Sequence, residues 1–296
     1  MTSPQGIIAL NKPQGLGSFD VIRRLKKRYQ NFPRAGFMGT LDPMATGVLP
    51  LFLDAATKII PFVRKDPKIY RLRIRFGSGT DSYDSTGKVT ETCPVPPDTI
   101  NPEKIVALLP SFTGTITQTP PPLSACRVDG KRAYDHFFAG SPVTPPARDK
   151  IIYQIEFNGF FPGELPEIEL VVSCQIGTYM RSLAVDIGKA FSLPAHMSSL
   201  CRLASGDFLI SECVELDELL DQDFLPFIQP VDRFLPYPEV IVTEDSRLYQ
   251  LIKNGNQVKN LWKVPGGLVK IKDNRMKILA IYQSEGEILK SAKILV

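Results

Sequence analysis

The chain has few of the residues that build metal centres and disulfide frameworks. Its 296 residues include two histidines, His136 and His196, and five cysteines. The cysteines are scattered, odd in number and form no C-x-x-C pair, so we expect neither a zinc cluster nor a disulfide framework. They are interpreted as reduced thiols, mostly in or near the core, and no metal or cofactor is expected.

The sequence also lacks the segments that place a protein in a membrane. It has no apolar run of about 18 residues, and residues 1–6 lack the basic start and apolar core of a signal peptide. We therefore expect a cytoplasmic protein with no membrane partner. A hydrophobic content of 43% and a charged content of 22% are ordinary for a globular protein, and 296 residues suffice for one large domain and a small one.

Positive charge is concentrated although the net charge is only +4. Lysine and arginine dominate residues 12–34 and 58–75, each block containing a single aspartate, whereas residues 212–223 are acidic. Such blocks are usually solvated faces. Two of them on either side of one loop also suit a polyanion, because lysine and arginine release counterions from phosphates. Charge alone leaves both interpretations open.

The loop between the basic blocks, residues 36–50, reads GFMGTLDPMATGVLP. Asp-Pro is usually a simple turn. Here the apolar residues around it favour burial, and a buried carboxylate is costly unless it is paired. We therefore expect Asp42 at the floor of a cleft, beside a cation.

Apolar periodicity predicts the elements near this loop. Residues 6–13 form a short buried strand, and a helix capped by Ser18 runs to about Tyr29. The apolar stripe of that helix is predicted to contain Phe19, Ile22, Leu25 and Tyr29. Residues 68–76 alternate strictly, which predicts a strand with Tyr70 on the buried face and the arginines opposite.

A second polar segment follows two predicted strands, residues 150–160 and 167–176. Residues 177–183, GTYMRSL, are expected to open a helix capped by Thr178. Arg181 falls in its first turn, where a cation opposes the helix dipole and needs a carboxylate. We infer an Arg181–Asp42 pair; the alternative is an exposed arginine beside a local acid such as Asp186.

These segments together resemble one family. The loop pattern G-x-x-G-T-L-D-P-x-A-T-G-V-L-P resembles the catalytic signature of the TruB family of tRNA pseudouridine synthases. G-T-Y-x-R-x-L is a second signature shared with that family. Further segments are similar to family motifs: Lys12-Pro13, the T-D-x-x-D loop of residues 77–87, residues 127–134 and residues 200–208. The resemblance covers nearly the whole chain.

The resemblance implies an α+β fold. A pseudouridine synthase domain, residues 1–236, would contain a central mixed or antiparallel sheet flanked by helices. An insertion at about residues 118–145 would cover the tRNA. Prolines in residues 226–238 mark a boundary, after which residues 237–296 would form a small PUA-like β-barrel that binds RNA.

The implied reaction isomerises uridine to pseudouridine in the tRNA T loop, at conventional position 55. It proceeds by base flipping, glycosidic cleavage and reattachment through C5. The implied catalytic residues are Asp42, Tyr70 and Arg181. Roles in substrate binding are assigned to Lys12, Phe37, Gly39, Thr40, Lys131, Arg132, Tyr179 and Leu203. The implied partner is the T stem-loop of tRNA, bound by a monomer that requires no protein partner.

One position departs from the family pattern. The family usually has G-H-T-G where this chain has Gly36-Phe37-Met38-Gly39. The histidine is implied to help occupy the space that the flipped base leaves, and Phe37 keeps a stacking face without its polar atoms. Two alternatives stay open: an RNA chaperone without catalysis, and a guide-RNA-dependent relative. The retained Asp42 and Arg181 favour an enzyme, and the insertion and the absence of basic tails favour the stand-alone form.

Overall fold

The computed structural model of the protein describes residues 5–244 and 246–295. The first four residues of the segment in which no signal peptide was expected lie outside this range. The strands are β1 (Gly6–Lys12), β2 (Ala35–Phe37), β3 (Thr46–Leu53), β4 (Lys68–Phe76), β5 (Ser78–Thr80), β6 (Val89–Thr92), β7 (Gly114–Gln118), β8 (Arg127–Val128), β9 (Lys131–Arg132), β10 (Arg148–Phe161), β11 (Glu167–Cys174), β12 (Ala195–Ser205), β13 (Phe208–Leu209), β14 (Val214–Glu215), β15 (Glu239–Val242), β16 (Val258–Lys259), β17 (Gly267–Asp273), β18 (Ile278–Glu285) and β19 (Ile288–Ile294). The α-helices are α1 (Ser18–Arg28), α2 (Pro102–Leu108), α3 (Ala133–Phe138), α4 (Met180–Ala190), α5 (Leu216–Asp221) and α6 (Arg247–Lys253).

A ten-stranded mixed sheet forms the larger part of the molecule. Its main path runs β14-β1-β3-β12-β4-β11-β10-β7, with β2 added to β3 and β13 added to β12. Strand β4 shows the predicted alternation: Tyr70, Leu72, Ile74 and Phe76 are buried, and Arg71 lies on the opposite, exposed face. The strands predicted at residues 6–13, 150–160 and 167–176 are present as β1, β10 and β11. Ile176 is exposed instead of buried, because β11 ends at Cys174.

Strand β12 lies at the centre of this sheet, between β3 and β4. It runs antiparallel to β4 over most of its length and parallel to β3 through only two residue pairs, Cys201 with Thr46 and Arg202 with Gly47. A side chain at Gly47 would not fit, because a Cβ there would lie 2.2 Å from the backbone oxygen of Arg202. The close approach brings residues 200–205 directly beneath the loop that contains Asp42.

Helix α1 has a different buried face from the one predicted. Ser18, Val21, Ile22 and Leu25 are buried, whereas Phe19 is 69% exposed. Gly17, not Ser18, is the N-terminal cap. The Ser18 hydroxyl instead forms two hydrogen bonds with the backbone of Leu41, at 3.2 and 2.9 Å, which turns Ser18 inward. Since each helical residue advances by about 100°, Phe19 then faces outward.

Helix α4 also begins differently from the prediction. Tyr179 is its N-terminal cap residue, and the Thr178 hydroxyl donates to the Gln175 carbonyl oxygen at 2.8 Å without capping the helix. Arg181 does lie in the first turn, as expected. Its side chain is buried and leaves the helix towards the Asp42 loop.

The C-terminal part folds into a separate five-stranded curled sheet in the order β15-β17-β18-β19-β16. It joins the larger sheet through an apolar cluster that contains Ile278 and Ile281 together with Ile7 and Phe234. The α+β class with a second, smaller β-unit is confirmed, and the exact domain boundary stays a prediction. None of the helices among the described residues combines the length and apolarity needed to cross a membrane.

Candidate active site

The loop between β2 and β3 holds Asp42 above a buried apolar base. Leu41, Met44 and Ala45 are buried, as expected for an apolar loop. The Asp42 side chain itself is 37% exposed, so it is less buried than its apolar neighbours led us to expect. Its apolar neighbours anchor the loop while the carboxylate points towards the open face. Asp42 is therefore accessible to a molecule that approaches from solvent.

Arg181 reaches Asp42 from below. Its Nε atom lies 3.1 Å from Asp42 Oδ2 and 3.8 Å from Asp84 Oδ2, and its Nη1 donates to the Ser82 carbonyl oxygen at 3.1 Å. The Arg181 side chain is only 7% exposed. The ion pair inferred from the sequence is thus present, but its geometry is inverted: the cation is buried and the carboxylate is accessible.

Asp84 is a second, buried carboxylate on the same guanidinium. Its Oδ1 accepts from the Thr86 amide at 2.9 Å, the Thr86 hydroxyl at 2.6 Å and the Ser82 hydroxyl at 2.9 Å. These bonds are local turn contacts within residues 77–87. They leave Oδ2 facing Arg181, so the loop after β4 helps hold the arginine in place.

Arg202 fixes the backbone of the loop before Asp42. Its Nη2 donates to the Gly39 carbonyl at 2.8 Å, its Nε to the Val48 carbonyl at 2.8 Å, and its Nη1 to the Thr40 carbonyl at 3.5 Å. The guanidinium is fully buried. Gly39 and Thr40, assigned to substrate binding, are here positioned by their carbonyl oxygens. A single side chain thereby clamps both ends of the segment that carries Asp42.

Tyr70 lies in the core beneath the loop. Burial raises the pKa of its hydroxyl, the neighbouring Arg202 opposes that rise, and Asp42 adds to it. The phenol is consequently neutral near pH 7. It offers an apolar ring near Asp42 and is a poor proton acceptor.

Lys12 is buried at the end of β1. Its ammonium donates to the carbonyl oxygens of Leu16 at 2.6 Å, Pro13 at 2.9 Å and Pro43 at 3.5 Å. Burial lowers the pKa of Lys12 to about 8, and Asp42 opposes that shift. The contacts tie the turn after β1 to the residue that follows Asp42.

Lys68 is a buried cation that sequence reasoning missed. Its ammonium donates to the Ser205 hydroxyl at 3.1 Å and lies so close to Gly39 that a Cβ there would be 2.5 Å away. Burial, followed by the neighbouring Arg202, lowers the pKa of Lys68 to about 7. The strict alternation of β4 contained the signal, since Lys68 shares the face of Tyr70.

Tyr179 connects the site to the insertion that follows β7. The Tyr179 amide donates to Gln118 Oε1 at 2.7 Å, and Gln118 Nε2 donates to the Tyr179 carbonyl at 3.0 Å. The Ser182 hydroxyl donates to the Thr119 carbonyl at 2.6 Å. Burial, together with the Cys126 thiol 3.3 Å away, raises the pKa of the Tyr179 hydroxyl to about 12. The start of the insertion is therefore attached two residues before Arg181.

The other predicted substrate-binding residues lie at different distances from this centre. Phe37 ends β2, two residues before Gly39, and Leu203 is half-buried on β12 beside Arg202. Lys131 and Arg132 form the exposed strand β9 inside the insertion, where the Arg132 guanidinium bonds Tyr134 at 2.7 Å. Their contacts are with the insertion itself, so they join Asp42 only if a bound molecule bridges them.

The positive charge on the exposed face of β4 is partly neutralised by carboxylates of β11. Arg73 pairs with Glu169 at 2.9 Å, and Arg75 pairs with Glu167 at 2.6 Å, across the contact with β11. These arginines form an ion-paired ladder. Among the described residues, exposed cations without an ion pair include Arg24, Lys26 and Lys27 on α1.

The assembled centre contains an accessible carboxylate, a buried guanidinium that orients it and a neutral buried phenol. A carboxylate held in this way can act as a nucleophile or stabilise developing positive charge. Two further buried cations, Lys12 and Arg202, bind backbone carbonyls and fix the loop.

Comparison with known families gives two adjoining matches. Residues 26–180 match the TruB family pseudouridylate synthase N-terminal domain, and residues 181–235 match the tRNA pseudouridylate synthase B C-terminal domain. Asp42 and Tyr70 lie in the first match, and Arg181 is the first residue of the second.

Relatives match along nearly the full chain. The tRNA pseudouridine synthase B of Caldanaerobacter subterraneus subsp. tengcongensis is 36% identical over 293 residues, covering 99% of both chains. That of Bacillus thuringiensis (strain Al Hakam) is 34% identical over 306 aligned positions, covering 99% of this chain and 97% of the relative.

Solved structures with the same fold include a chain of a Cbf5-Nop10-Gar1 complex. It has a TM-score of 0.69 and 25% identity, and the match covers 98% of this chain and 85% of that one. A chain of an H/ACA RNP bound to a substrate RNA containing 2'-deoxyuridine has a TM-score of 0.68 and 23% identity, with coverage of 98% and 85%.

Proposed function

The chain belongs to the TruB family of pseudouridylate synthases, and we propose that it converts the uridine at conventional position 55 of the tRNA T loop into pseudouridine. The observation that carries the proposal is the accessible Asp42 carboxylate, held 3.1 Å from the buried Arg181 guanidinium within the family signature. The reaction is an isomerisation. The N1–C1′ bond breaks, a C5–C1′ bond forms, the C5 proton leaves and N1 gains a proton.

Asp42 is the catalytic group of this proposal. When the glycosidic bond breaks, the sugar carbon loses electron density, and a nearby carboxylate can attack it or stabilise its charge. The exposure of Asp42 suits this role, because the sugar must approach from the solvent side. Arg181 and Asp84 behind it limit the positions that the carboxylate can take.

Tyr70 supports the base and not the sugar. The detached base must stay bound while it turns from N1 to C5, and an aromatic ring offers a flat surface for it. Since burial raises the pKa of the Tyr70 hydroxyl, the ring contributes by packing more than by accepting a proton. Leu203, half-buried on the neighbouring strand, would line the same pocket.

Access to a uridine inside a folded loop requires the base to leave its stack. We propose that the insertion of residues 118–145, with Lys131 and Arg132 exposed, covers the T stem-loop, and that the C-terminal sheet adds RNA contacts. The chain is 36% identical to a tRNA pseudouridine synthase B and 25% identical to the Cbf5-complex chain. This difference supports action on tRNA without a guide RNA or protein partner.

The test is pseudouridine mapping on unmodified tRNA transcripts with the native protein and with Asp42→Asn. We expect the native protein alone to convert the T-loop uridine, and the variant to bind tRNA without converting it. Asp186→Asn is the matched control, since Asp186 has a similar exposure, 35% against 37%, but pairs with Lys189 on the outside of α4.

Each alternative gives a distinct result. Tight tRNA binding by the native protein without conversion would contradict the proposal and support a chaperone. Conversion that survives in Asp42→Asn would keep the activity and remove Asp42 from the mechanism.

A further inference from the structure

An exposed aromatic pair lies beside the Asp42 loop. The rings of Phe19 and Phe37 meet edge to face, with centroids 4.8 Å apart and planes at 75°. Phe37 is partly buried against the cluster beneath α1, whereas Phe19 is 69% exposed. Packing with the core therefore accounts for Phe37 but leaves most of Phe19 unexplained.

The position of Phe19 is fixed relative to Asp42. The preceding residue, Ser18, bonds both the amide and the carbonyl of Leu41, at 2.9 and 3.2 Å. The Gly15 amide donates to the Pro43 carbonyl at 2.7 Å, on the other side of Asp42. The first turn of α1 and the Asp42 loop are thus held together, with Phe19 at their outer rim.

The same helix surface is basic. Arg23 lies one turn after Phe19 on the same face and is paired with Asp20. Lys26 and Lys27 follow on the next turn. All three side chains are exposed. Proteins that bind single-stranded nucleic acid combine such cations, which follow the phosphates, with aromatic rings on which bases stack.

We propose that Phe19, supported by Phe37, stacks on an unpaired base that flanks the target uridine in the RNA loop, while the α1 cations contact the adjacent phosphates. The proposal rests on the proposed function for the choice of RNA. Phe19 would then help to hold the RNA loop open and would take no part in the chemistry at Asp42.

The first experiment measures binding. An RNA T stem-loop carries 2-aminopurine next to the target uridine, and its fluorescence reports stacking on the full-length protein. We compare Phe19→Ala, Phe19→Leu and Phe19→Tyr. One stacked base contributes enough to change affinity roughly 5- to 150-fold. Ala and Leu should therefore raise the dissociation constant by that factor and reduce quenching, while Tyr should keep the native affinity and the native quenching.

Phe161→Ala is the matched control. Phe161 is also exposed, at 39%, but it lies at the far end of β10, against Arg73. The register of the sheet puts it beside Glu167 and Arg75, at the opposite end of β4 from Tyr70. Its loss should leave binding and quenching unchanged. Thermal unfolding of each variant checks that the fold is intact. We expect the Phe19 variants to stay folded, because the Phe19 side chain is largely exposed.

The outcomes separate the two proposals. If all three Phe19 variants bind as the native protein does, or if Tyr fails as Leu does, stacking by Phe19 is refuted. Equal weakening by Phe161→Ala would also refute it, since the effect would not be specific to the pair. These readouts need no turnover, so a native protein that fails to form pseudouridine would overturn the proposed function without deciding the stacking result.

Discussion

Arg181 connects the two carboxylates of the candidate site. It is buried between an accessible carboxylate, Asp42, and a buried one, Asp84. Loss of Arg181 would therefore affect the two carboxylates differently. Asp42 can be hydrated when the arginine is lost, whereas Asp84 cannot.

We expect Arg181→Met to abolish pseudouridine formation and to destabilise the protein. Removing one partner of a buried ion pair costs about 3–5 kcal/mol, because the remaining charge is left buried. Urea unfolding measures the loss. Asp42→Asn should by contrast lose activity with a free energy of unfolding close to that of the native protein. Equal stability of Arg181→Met and the native chain would show that Asp84 does not depend on the arginine.

The sequence predicted the Asp42–Arg181 pair but not which of the two side chains is the buried one. Asp42 and Arg181 were joined because each needed an opposite charge. The exposure of Asp42 could not be predicted, since it depends on how Leu41 and Met44 turn into the core. Asp84 belongs to a polar loop of the family pattern, but its approach to Arg181 depends on the position of that loop in the fold.

Among the elements, β7 and α4 form the connection between the insertion and the site. Gln118, the last residue of β7, bonds both backbone groups of Tyr179, and the strand pairing places Gln118 opposite Arg148. The insertion therefore leaves and re-enters the sheet at the same place, beside the start of α4.

We expect Gln118→Met to loosen this connection. The change keeps the side-chain length but leaves the Tyr179 amide without its partner, at a cost of about 1–3 kcal/mol. The Tyr179 carbonyl keeps the hydrogen bond that it accepts from the Leu183 amide at 3.1 Å. Hydrogen exchange in residues 119–147 should increase, and kcat/KM should fall. Thr117→Val is the control, because Thr117 is exposed and bonds only Asp149. Unchanged exchange in Gln118→Met would show that the insertion is held by other contacts.

Element predictions succeeded where periodicity alone decides and failed where a tertiary bond intervened. The alternation of β4 was sufficient to predict its two faces. The apolar stripe of α1 was wrong at Phe19, because the bonds between Ser18 and Leu41 rotate the helix. A local pattern carries no information about a partner 23 residues away.

The stability of the whole molecule should depend on pH through Lys68. Its pKa is lowered to about 7 in the folded protein, whereas an unfolded lysine titrates near 10.4. Between these values the unfolded chain binds more protons than the native one. The free energy of unfolding therefore rises with pH above 7, by up to about 1.4 kcal/mol per unit.

Urea unfolding at pH 7 and pH 8 tests this dependence. Lys68→Met removes the titrating group, so its unfolding free energy should change less over that interval. Parallel curves for the native protein and the variant would contradict the assignment. Lys12, whose pKa is about 8, contributes mainly above this range.

At the scale of the whole chain, the resemblance predicted the two-sheet architecture and local patterns did not. Composition allowed a large and a small domain without placing them. The contact between the sheets depends on pairings such as Lys270 and Lys272 with Asp232, at 2.6 and 2.9 Å. Each of these residues looks like an ordinary surface charge in the sequence.

The central place of β12 also has a consequence for the order of folding. Before residues 195–205 are synthesised, β1 and β3 can pair with each other, and β4 can pair with β11, but no strand connects the two groups. Each group then presents an unpaired edge, which invites association with other chains. Arg202, which holds the Asp42 loop, arrives on the same strand. The strand that joins the two groups is thus also the strand that secures the Asp42 loop, and a nascent chain has neither property before β12 is made.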